Sequence, residues 1–309
     1  SSDLSIVLYT PKHLSGYIES KKIIQKNFYH GGSGDFFFKK ILFFILNSIL
    51  IKRINCENLY ICNDADPYIM HLEKRSNYTN LVYIEEGVTL FSRLQHDKNQ
   101  KTFKSKSGFF KKILGIEENN VCLSSNKIKK AYVFFPEKLS FYRPDIYFID
   151  LFQLIKESNL KFSFEIGPEF TQPDILIATS PLTENGHCAD NCEVDIIKDV
   201  CKKNSSLRII LKLHYRDSRE KYNEILNKYK NVSILPDSLN VLPYQIIHSE
   251  INPKSIYAFH SSILFSTPDH RKDFRRVSMI NKVDTDRGKF FYIGLKSIQH
   301  EINNFSFLK

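Results

Sequence analysis

Short apolar runs alternate with helix-like segments along most of this chain. The runs at 81–84, 174–179 and 255–259 are rich in aliphatic and aromatic residues, and polar residues follow each of them. Between such runs, segments such as 190–203 and 244–251 have the spacing of amphipathic helices. This alternation is typical of parallel sheets covered by helices. The pattern therefore predicts an α/β fold.

The alternation is interrupted over 159–173, where Gly167 and Pro173 favour a linker. A chain of 309 residues is long enough for two domains of ordinary size. We therefore predict two Rossmann-like domains, 1–165 and 166–309, with a cleft between them.

An acidic pair follows the run 81–84, where Glu85 and Glu86 precede Gly87. In open α/β sheets, ligands bind beyond the carboxyl ends of the strands. A carboxylate there can act as a general base toward a hydroxyl if its surroundings raise its pKa above the ordinary value of about 4.3. Taken alone, the same three residues are more typical of an acidic pair on a solvated turn.

Two basic side chains end the predicted strand 207–212. One residue separates Lys212 from His214, so both lie on the same side of an extended chain. An ammonium group and an imidazole suit a nucleotide phosphate, and the imidazole can donate a proton to a leaving phosphate. A strand-end Lys beside a capping His would give the same pattern without any ligand.

Ser261 and Ser262 follow the predicted strand 255–259. Hydroxyls and backbone N–H groups at the start of a helix bind phosphate well, although plain N-capping uses the same residues. Glu250, on the preceding predicted helix, could accept hydrogen bonds from ribose hydroxyls or simply face water.

The surface charge favours anionic partners. Lys and Arg number 44 against 34 Asp and Glu, a formal net charge of +10. The six Cys are scattered, which favours reduced thiols in the cytosol over a disulfide framework. His187, Cys188 and Cys192 have no second half-site at metal-ligand spacing, so we predict no bound metal.

No signal-peptide pattern opens the chain, and no apolar run reaches the length of about 20 residues that a spanning helix needs. We therefore predict a cytoplasmic protein. The apolar segment 36–51, flanked by Lys, could lie against anionic lipids on the inner face of the plasma membrane or form a homodimer contact. Such a segment is more typical of a helix buried against a sheet.

Three motifs, taken in order, resemble those of bacterial sialyltransferases: Glu85-Glu86-Gly87, Lys212-Leu213-His214 and Ser261-Ser262. Lipooligosaccharide sialyltransferases of glycosyltransferase family 52 and the related capsule polysialyltransferases share a D/E-D/E-G motif, a K-x-H-P motif and a Ser/Thr-rich motif. The resemblance implies a GT-B fold with the acceptor domain first and the CMP-sugar domain second. It also implies inverting catalysis without a metal or cofactor. The Rossmann G-x-G-x-x-G, Walker A and G-x-S-x-G motifs are missing from the sequence.

The resemblance also implies roles for single residues. Glu86 matches the carboxylate proposed as the base, and His214 matches the histidine that contacts the CMP phosphate and assists its departure. Lys212, Ser261 and Ser262 match positions that contact cytidine and phosphate.

The turn that opens the second half offers another candidate base. In some members of family 52 the base is the Asp of an S-P-D turn. Here Ser180 and Pro181 are followed by Leu182, with Glu184 two residues later. The base is therefore Glu86 or Glu184, and we favour Glu86.

We expect an enzyme that moves sialic acid from CMP-sialic acid to a hydroxyl of a cell-surface glycan, in lipooligosaccharide or capsule. Its partners would be the nucleotide sugar and a glycan or glycolipid acceptor, not nucleic acid. Two alternatives stay open. One is the same fold with a CMP-Kdo or UDP-sugar donor, and the other is a non-catalytic module that binds anionic glycan or nucleic acid.

Overall fold

The computed structural model describes residues 6–8, 23–25, 55–61, 73–85, 87–98, 127–139, 145–150, 153, 164–189, 191–267, 271 and 273–309. Within these residues the chain forms twelve β-strands and seven α-helices. It divides into two compact units, one of residues Phe28–Ile149 and the other of Ser1–Asn27 with Asp150–Lys309. The predicted domain boundary at residue 165 stays a prediction.

The unit Phe28–Ile149 contains a four-stranded parallel sheet in chain order. Its strands are β3 (Asn55–Ile61), β4 (Asn77–Ile84), β5 (Ile128–Val133) and β6 (Ile146–Phe148), and helix α1 (Thr89–Lys98) follows β4. Three consecutive residues of β4, Leu81 to Tyr83, are buried. A strand buried on both faces is typical of parallel sheets with covered faces.

The other unit contains a two-stranded and a six-stranded sheet, both parallel. The small sheet pairs β1 (Ile6–Leu8) with β2 (Ile23–Gln25). The strands of the large sheet are β7 (Ile175–Ala178), β8 (Ile209–Lys212), β9 (Val232–Ile234), β10 (Ser255–Ala258), β11 (Arg275–Ser278) and β12 (Phe305–Phe307). Its helices are α2 (Cys192–Lys203), α3 (Asn223–Lys228), α4 (Asp237–Asn240), α5 (Tyr244–Ile251), α6 (Ile263–Ser266) and α7 (Asp286–Ile298).

The order of the six strands is β12-β11-β10-β7-β8-β9. Numbered from β7, this is the 3-2-1-4-5-6 order of doubly wound nucleotide-binding sheets, in which the ligand crevice lies where the order reverses. The reversal lies between β7 and β10. Ala178 pairs with Lys212 on one side and Ala258 on the other, so the three strands end level with one another.

The predicted α/β fold class, with a parallel sheet in each unit, is confirmed. The sequence pattern did not predict strand β11. Arg276 makes β11 look polar, but it is buried because its guanidinium donates to O of Asn303 at 2.8 Å and O of Thr267 at 2.7 Å.

No helix in the described part of the chain has the length and apolar content to cross a bilayer. The segment 36–51 lies outside the described residues. Its proposed contacts with a membrane or with a second copy of the chain therefore stay predictions.

Replacing Gly288 should destabilise the unit of 150–309. Gly288 lies in the first turn of α7, where a Cβ atom would come within 2.2 Å of O of Val283. We expect Gly288→Ala to lower the free energy of unfolding by about 1–3 kcal/mol, the cost of overpacking, measured by chemical denaturation. Gly186→Ala is the control, because φ of +65° is strained there but the space is open. A milder effect at Gly288 than at Gly186 would contradict the steric explanation.

Candidate functional site

The carboxyl edge of the six-stranded sheet collects most of the predicted site residues. Ser180 follows β7, His214 follows β8, and Ser261 and Ser262 follow β10, while Lys212 is the last residue of β8. Because β7, β8 and β10 are adjacent and parallel, all five residues belong to one edge of one sheet. This edge is where nucleotides bind in doubly wound sheets.

The hydroxyl of Thr179 connects the ends of β7 and β8. Its Oγ1 accepts from the backbone N–H of His214 at 2.9 Å and donates to Oδ2 of Asp217. Tyr222 also donates to Oδ2 of Asp217, at 3.3 Å, and the Asp217 N–H donates to O of His214 at 2.8 Å. Burial raises the pKa of Asp217, which the bond from Thr179 partly offsets. The turn that carries His214 is therefore fixed to β7.

The imidazole of His214 has a defined orientation. Its Nδ1 accepts from the backbone N–H of Arg216 at 3.2 Å, and its ring lies 4.4 Å from the Tyr215 ring, centroid to centroid. A neutral imidazole that accepts at Nδ1 carries its proton on Nε2. His214 therefore presents Nε2–H as a donor, the arrangement that a phosphate oxygen requires.

Lys212 is buried rather than extended into solvent. Its Nζ donates to O of Asn240 at 3.0 Å, and burial lowers its pKa to about 8. The Asn240 side chain accepts from the N–H of Leu213 at 2.8 Å and donates to O of Leu235 at 2.7 Å. Lys212 thus helps to attach β8 to the segment after β9, and its direct contact with a ligand stays a prediction.

The two serines after β10 are only weakly used as helix caps. Ser261 Oγ accepts from the N–H of Ile263 at a long 3.4 Å. Ser262 precedes the four-residue helix α6, and within the described residues its side chain makes no capping hydrogen bond. Plain N-capping therefore does not account for the Ser262 hydroxyl.

Glu184 is held in an ion pair. Both of its carboxylate oxygens lie 2.9 Å from Nζ of Lys221. Lys221 is therefore the ion-pair partner of the Glu184 carboxylate. Ser180, at the same turn, is buried, and its carbonyl accepts from the N–H of Leu182 at 2.8 Å.

Lys221 also contacts two buried carboxylates. It bonds to Glu193 and lies 3.6 Å from Oδ1 of Asp217. Burial alone would raise the pKa of Glu193, but hydrogen bonds from Lys221, Cys188 and Thr183 lower it. We call Glu184, Glu193, Asp217 and Lys221 the Lys221 cluster. One oxygen of each carboxylate lies within 4.8 Å of the others, and the ammonium group already supplies a cation among them.

Glu250 is not brought to this edge. It lies next to the last residue of α5, five residues before β10 begins. It is therefore close to the amino end of β10, whereas Ser261 and Ser262 follow the carboxyl end. The predicted contact of Glu250 with a ribose has no support in this placement.

In the other unit, Glu85 anchors the ends of β4 and β5. Its N–H donates to O of Tyr132 at 2.9 Å, and its Oε2 accepts from the N–H of Phe134 at 2.8 Å. Burial raises the pKa of Glu85 well above its ordinary value. Gly87 has φ of 144°, a conformation that favours glycine and lets the chain turn into α1. Glu86 lies outside the described residues, so its role as base stays a prediction.

Three residues at the carboxyl edge of the large sheet were not predicted. The His260 ring stacks on Phe291 with centroids 4.0 Å apart, and the His187 ring lies 6.4 Å from that of His260. The guanidinium of Arg287 lies 5.1 Å from the Phe291 ring centre. His260 directly precedes Ser261, so the motif could have included it. His187 was considered only beside Cys188 and Cys192 as a metal half-site, and no local pattern indicated Arg287.

Comparison with known proteins supports the family resemblance. The family model of alpha-2,8-polysialyltransferase (POLYST) matches residues 18–285 of this chain. The resemblance to capsule polysialyltransferases, predicted from three short motifs, is confirmed. No curated protein matches the chain.

Several solved structures are similar to this chain at low identity. One is an alpha/beta-galactoside alpha-2,3-sialyltransferase from the luminous marine bacterium Photobacterium phosphoreum, with 15% identity over 92% of this chain and 85% of that chain, at a TM-score of 0.47. Another is a sialyltransferase from Photobacterium damselae described as a GT-B domain, with 9% identity over 93% and 86% of the two chains and a TM-score of 0.43. A third is the S. aureus MnaA-UDP co-structure, with 11% identity over 93% and 78% and a TM-score of 0.49.

Glu85→Gln should change how stability depends on pH. Because burial raises the folded-state pKa of Glu85 above its ordinary 4.5, its contribution to stability is complete below pH 4.5 and is lost as pH rises through the folded-state value. Gln cannot ionise but can still accept from Phe134. At each pH the melting temperature of Glu85→Gln is compared with that of wild type. We expect the variant to gain relative to wild type as the pH is raised above 4.5.

Melting curves from pH 4.5 to about pH 8 would measure this difference. Glu137→Gln is the control, because Glu137 is exposed in the same unit. A melting-temperature difference for Glu85→Gln that stays constant over the whole span would contradict the buried protonated carboxyl.

Thr179→Val should destabilise the turn that carries His214. Val has nearly the same shape but leaves the His214 N–H and the Asp217 carboxylate without their shared hydroxyl. Unpaired buried polar groups cost about 1–3 kcal/mol each, so we expect a loss of that order in the free energy of unfolding. Thr171→Val is the control, since Thr171 bonds near the surface to O of Pro168. Equal losses for the two variants would count against the role of Thr179.

Proposed function

This chain belongs to the alpha-2,8-polysialyltransferase family, and on that premise we propose that it moves sialic acid from CMP-sialic acid to a hydroxyl of a cell-surface glycan. The family supports sialyl transfer. The CMP donor, inversion at the transferred sugar, independence from metal, and an acceptor in capsule or lipooligosaccharide are the finer parts of the proposal.

The observation that carries the proposal is the placement of His214. His214 follows the carboxyl end of β8, one strand away from the point where the strand order reverses, and its Nδ1 accepts from the N–H of Arg216, so the ring proton is on Nε2. Phosphate groups bind at this edge in doubly wound sheets. A hydrogen bond or proton from Nε2 to a phosphate oxygen would stabilise CMP as it leaves.

The remaining roles follow from this placement. The hydroxyls of Ser261 and Ser262 follow β10, which lies on the other side of β7 from β8, and they donate to the same phosphate. Glu86, the base implied by the resemblance, takes the proton of the acceptor hydroxyl as it attacks. Attack from the face opposite CMP inverts the anomeric centre. Fixed donors oriented before the reaction supply the charge stabilisation that the departing phosphate needs.

The proposed acceptor is supported by the net charge of the chain and by the family to which the chain belongs. A net charge of +10 favours an anionic glycan or glycolipid, and a growing chain of sialic acid carries one carboxylate per sugar. We propose that the enzyme works on the cytoplasmic face of the membrane, where residues 36–51 could contact anionic lipid.

The test is a transfer assay with purified protein. CMP-sialic acid, CMP-Kdo and a UDP-sugar are each supplied with an α2,8-linked oligosialic acid and with a galactoside acceptor, and CMP or UDP release and product length are measured. We expect release and transfer with CMP-sialic acid. Neither release nor transfer from it with any acceptor would refute the proposal, and transfer from another donor alone would replace the donor.

His214→Ala should lower the rate of transfer by at least about 10²-fold, the usual effect of losing a general acid. His300→Ala is the matched control, because His300 lies in the 3₁₀ turn Gln299–Glu301, remote in sequence from the strand ends that form the site. Turnover of His214→Ala close to that of wild type would remove His214 from the mechanism.

A further inference from the structure

Two imidazoles beside His214 have polar atoms that the protein does not use. The Nδ1 atoms of His187 and His260 are buried, and neither has a hydrogen-bond partner among the described residues. Both rings pack against Phe291, with centroid distances of 5.7 Å and 4.0 Å. Buried polar atoms are usually paired, so two neighbouring exceptions are unusual, and they decide which ring nitrogen carries the proton.

The two rings are neutral donors at neutral pH. Burial lowers the pKa of His187, and the charge of Arg287 lowers it further. Burial lowers the pKa of His260 to about 3, and His187, Arg287 and His214 act in the same direction. A buried N–H without an acceptor is costly, so each neutral ring carries its proton on Nε2. The Nε2 atoms are not among the buried unpaired atoms, so they are the nitrogens open to a ligand.

The charges around the pair favour an anion over a metal cation. Two histidines are common zinc ligands, but Arg287 and His214 add positive charge here. His187 is attached to the start of α7, because Thr285 Oγ1 donates to its carbonyl at 2.7 Å, and a helix amino terminus is also positive. The acidic group that acts on His187 is Glu193, which is already bonded to Lys221.

We propose that His187, His260 and Arg287 form an anion subsite that holds an acidic group of the nucleotide sugar beside His214. This inference rests on the proposed function. The donor offers two such groups, the phosphate of CMP and the carboxylate of sialic acid. A planar guanidinium can bind either group through two parallel hydrogen bonds, and the imidazole Nε2–H groups add further donors.

A bound anion should raise the pKa values of His187 and His260, because a negative charge close to a histidine favours its protonated form. The groups that oppose this rise are the positive charges of Arg287 and His214, while Glu193 acts in its favour on His187.

The test compares three ligands that differ in their acidic groups. Cytidine has neither group, CMP has the phosphate, and CMP-3-fluorosialic acid has both. Dissociation constants are measured for wild type, Arg287→Ala and His260→Phe, of which the last retains an aromatic ring against Phe291. Lys289→Ala is the control, because it also removes a positive charge from α7 but its partner is Asp284, 3.0 Å away.

We expect Arg287→Ala and His260→Phe to weaken binding of the fluorinated donor at least about 10-fold, the effect of one lost charge-assisted hydrogen bond. The dissociation constant of cytidine should change less than about 2-fold, because cytidine has no acidic group to place in the subsite. If the variants bind CMP and the fluorinated donor equally more weakly, the phosphate is the group in the subsite. If only the fluorinated donor binds more weakly, the carboxylate is that group. Unchanged binding of CMP and donor, a parallel loss for cytidine, or the same loss in Lys289→Ala would overturn the subsite.

Wild-type protein provides a test that does not depend on the folding of variants. With ¹³C-labelled histidine, saturation with the fluorinated donor should shift the Cε1 signals of His187 and His260, and cytidine should not shift them. Unmoved signals at both residues would overturn the inference. Donor binding without sugar transfer would refute the proposed function alone, whereas a wild type that binds neither CMP nor donor would overturn both.

Discussion

The buried hydroxyl of Thr179 fixes the position of the turn that carries the His214 imidazole. It receives the backbone N–H of His214 and donates to Asp217, so the turn after β8 is attached to the end of β7. Asn240 attaches the same turn from the other side by accepting from Leu213. A side chain held by its neighbours before a ligand arrives needs no rearrangement during the reaction, and such fixed polar groups are the main source of catalytic stabilisation in enzymes.

The same edge of the sheet concentrates nitrogen bases in an environment that disfavours their charged forms. Burial lowers the pKa of Lys212 to about 8 and that of His260 to about 3. Burying basic groups close together lowers the free energy of unfolding. Such destabilising arrangements are found chiefly at functional sites. A ligand that brings negative charge reverses the cost, so the features that make this edge poorly stable without a ligand are those that make it bind one.

The sequence was sufficient for the α/β class and for the serine and histidine positions, because strands such as β7 and β8 are fully apolar and end at polar residues. It could not predict β11, since the burial of Arg276 depends on distant carbonyls. Glu250 lies near the amino end of β10, because helix α5 ends there, and its contact with a ribose stays a prediction. The pairing of Glu184 with Lys221 and the grouping of residues around Phe291 depend on contacts across elements that no local spacing encodes.

The Lys221 cluster has a consequence for how this family can diverge. The side chains of Glu193 and Asp217 are fully buried, and a single ammonium group lies beside both. If a neutral residue replaced Lys221 by itself, two like charges would remain close together in an apolar interior, so that substitution should be rare. Related sequences should therefore keep all members of the group or exchange them jointly, which would appear in an alignment as correlated variation among positions 184, 193, 217 and 221.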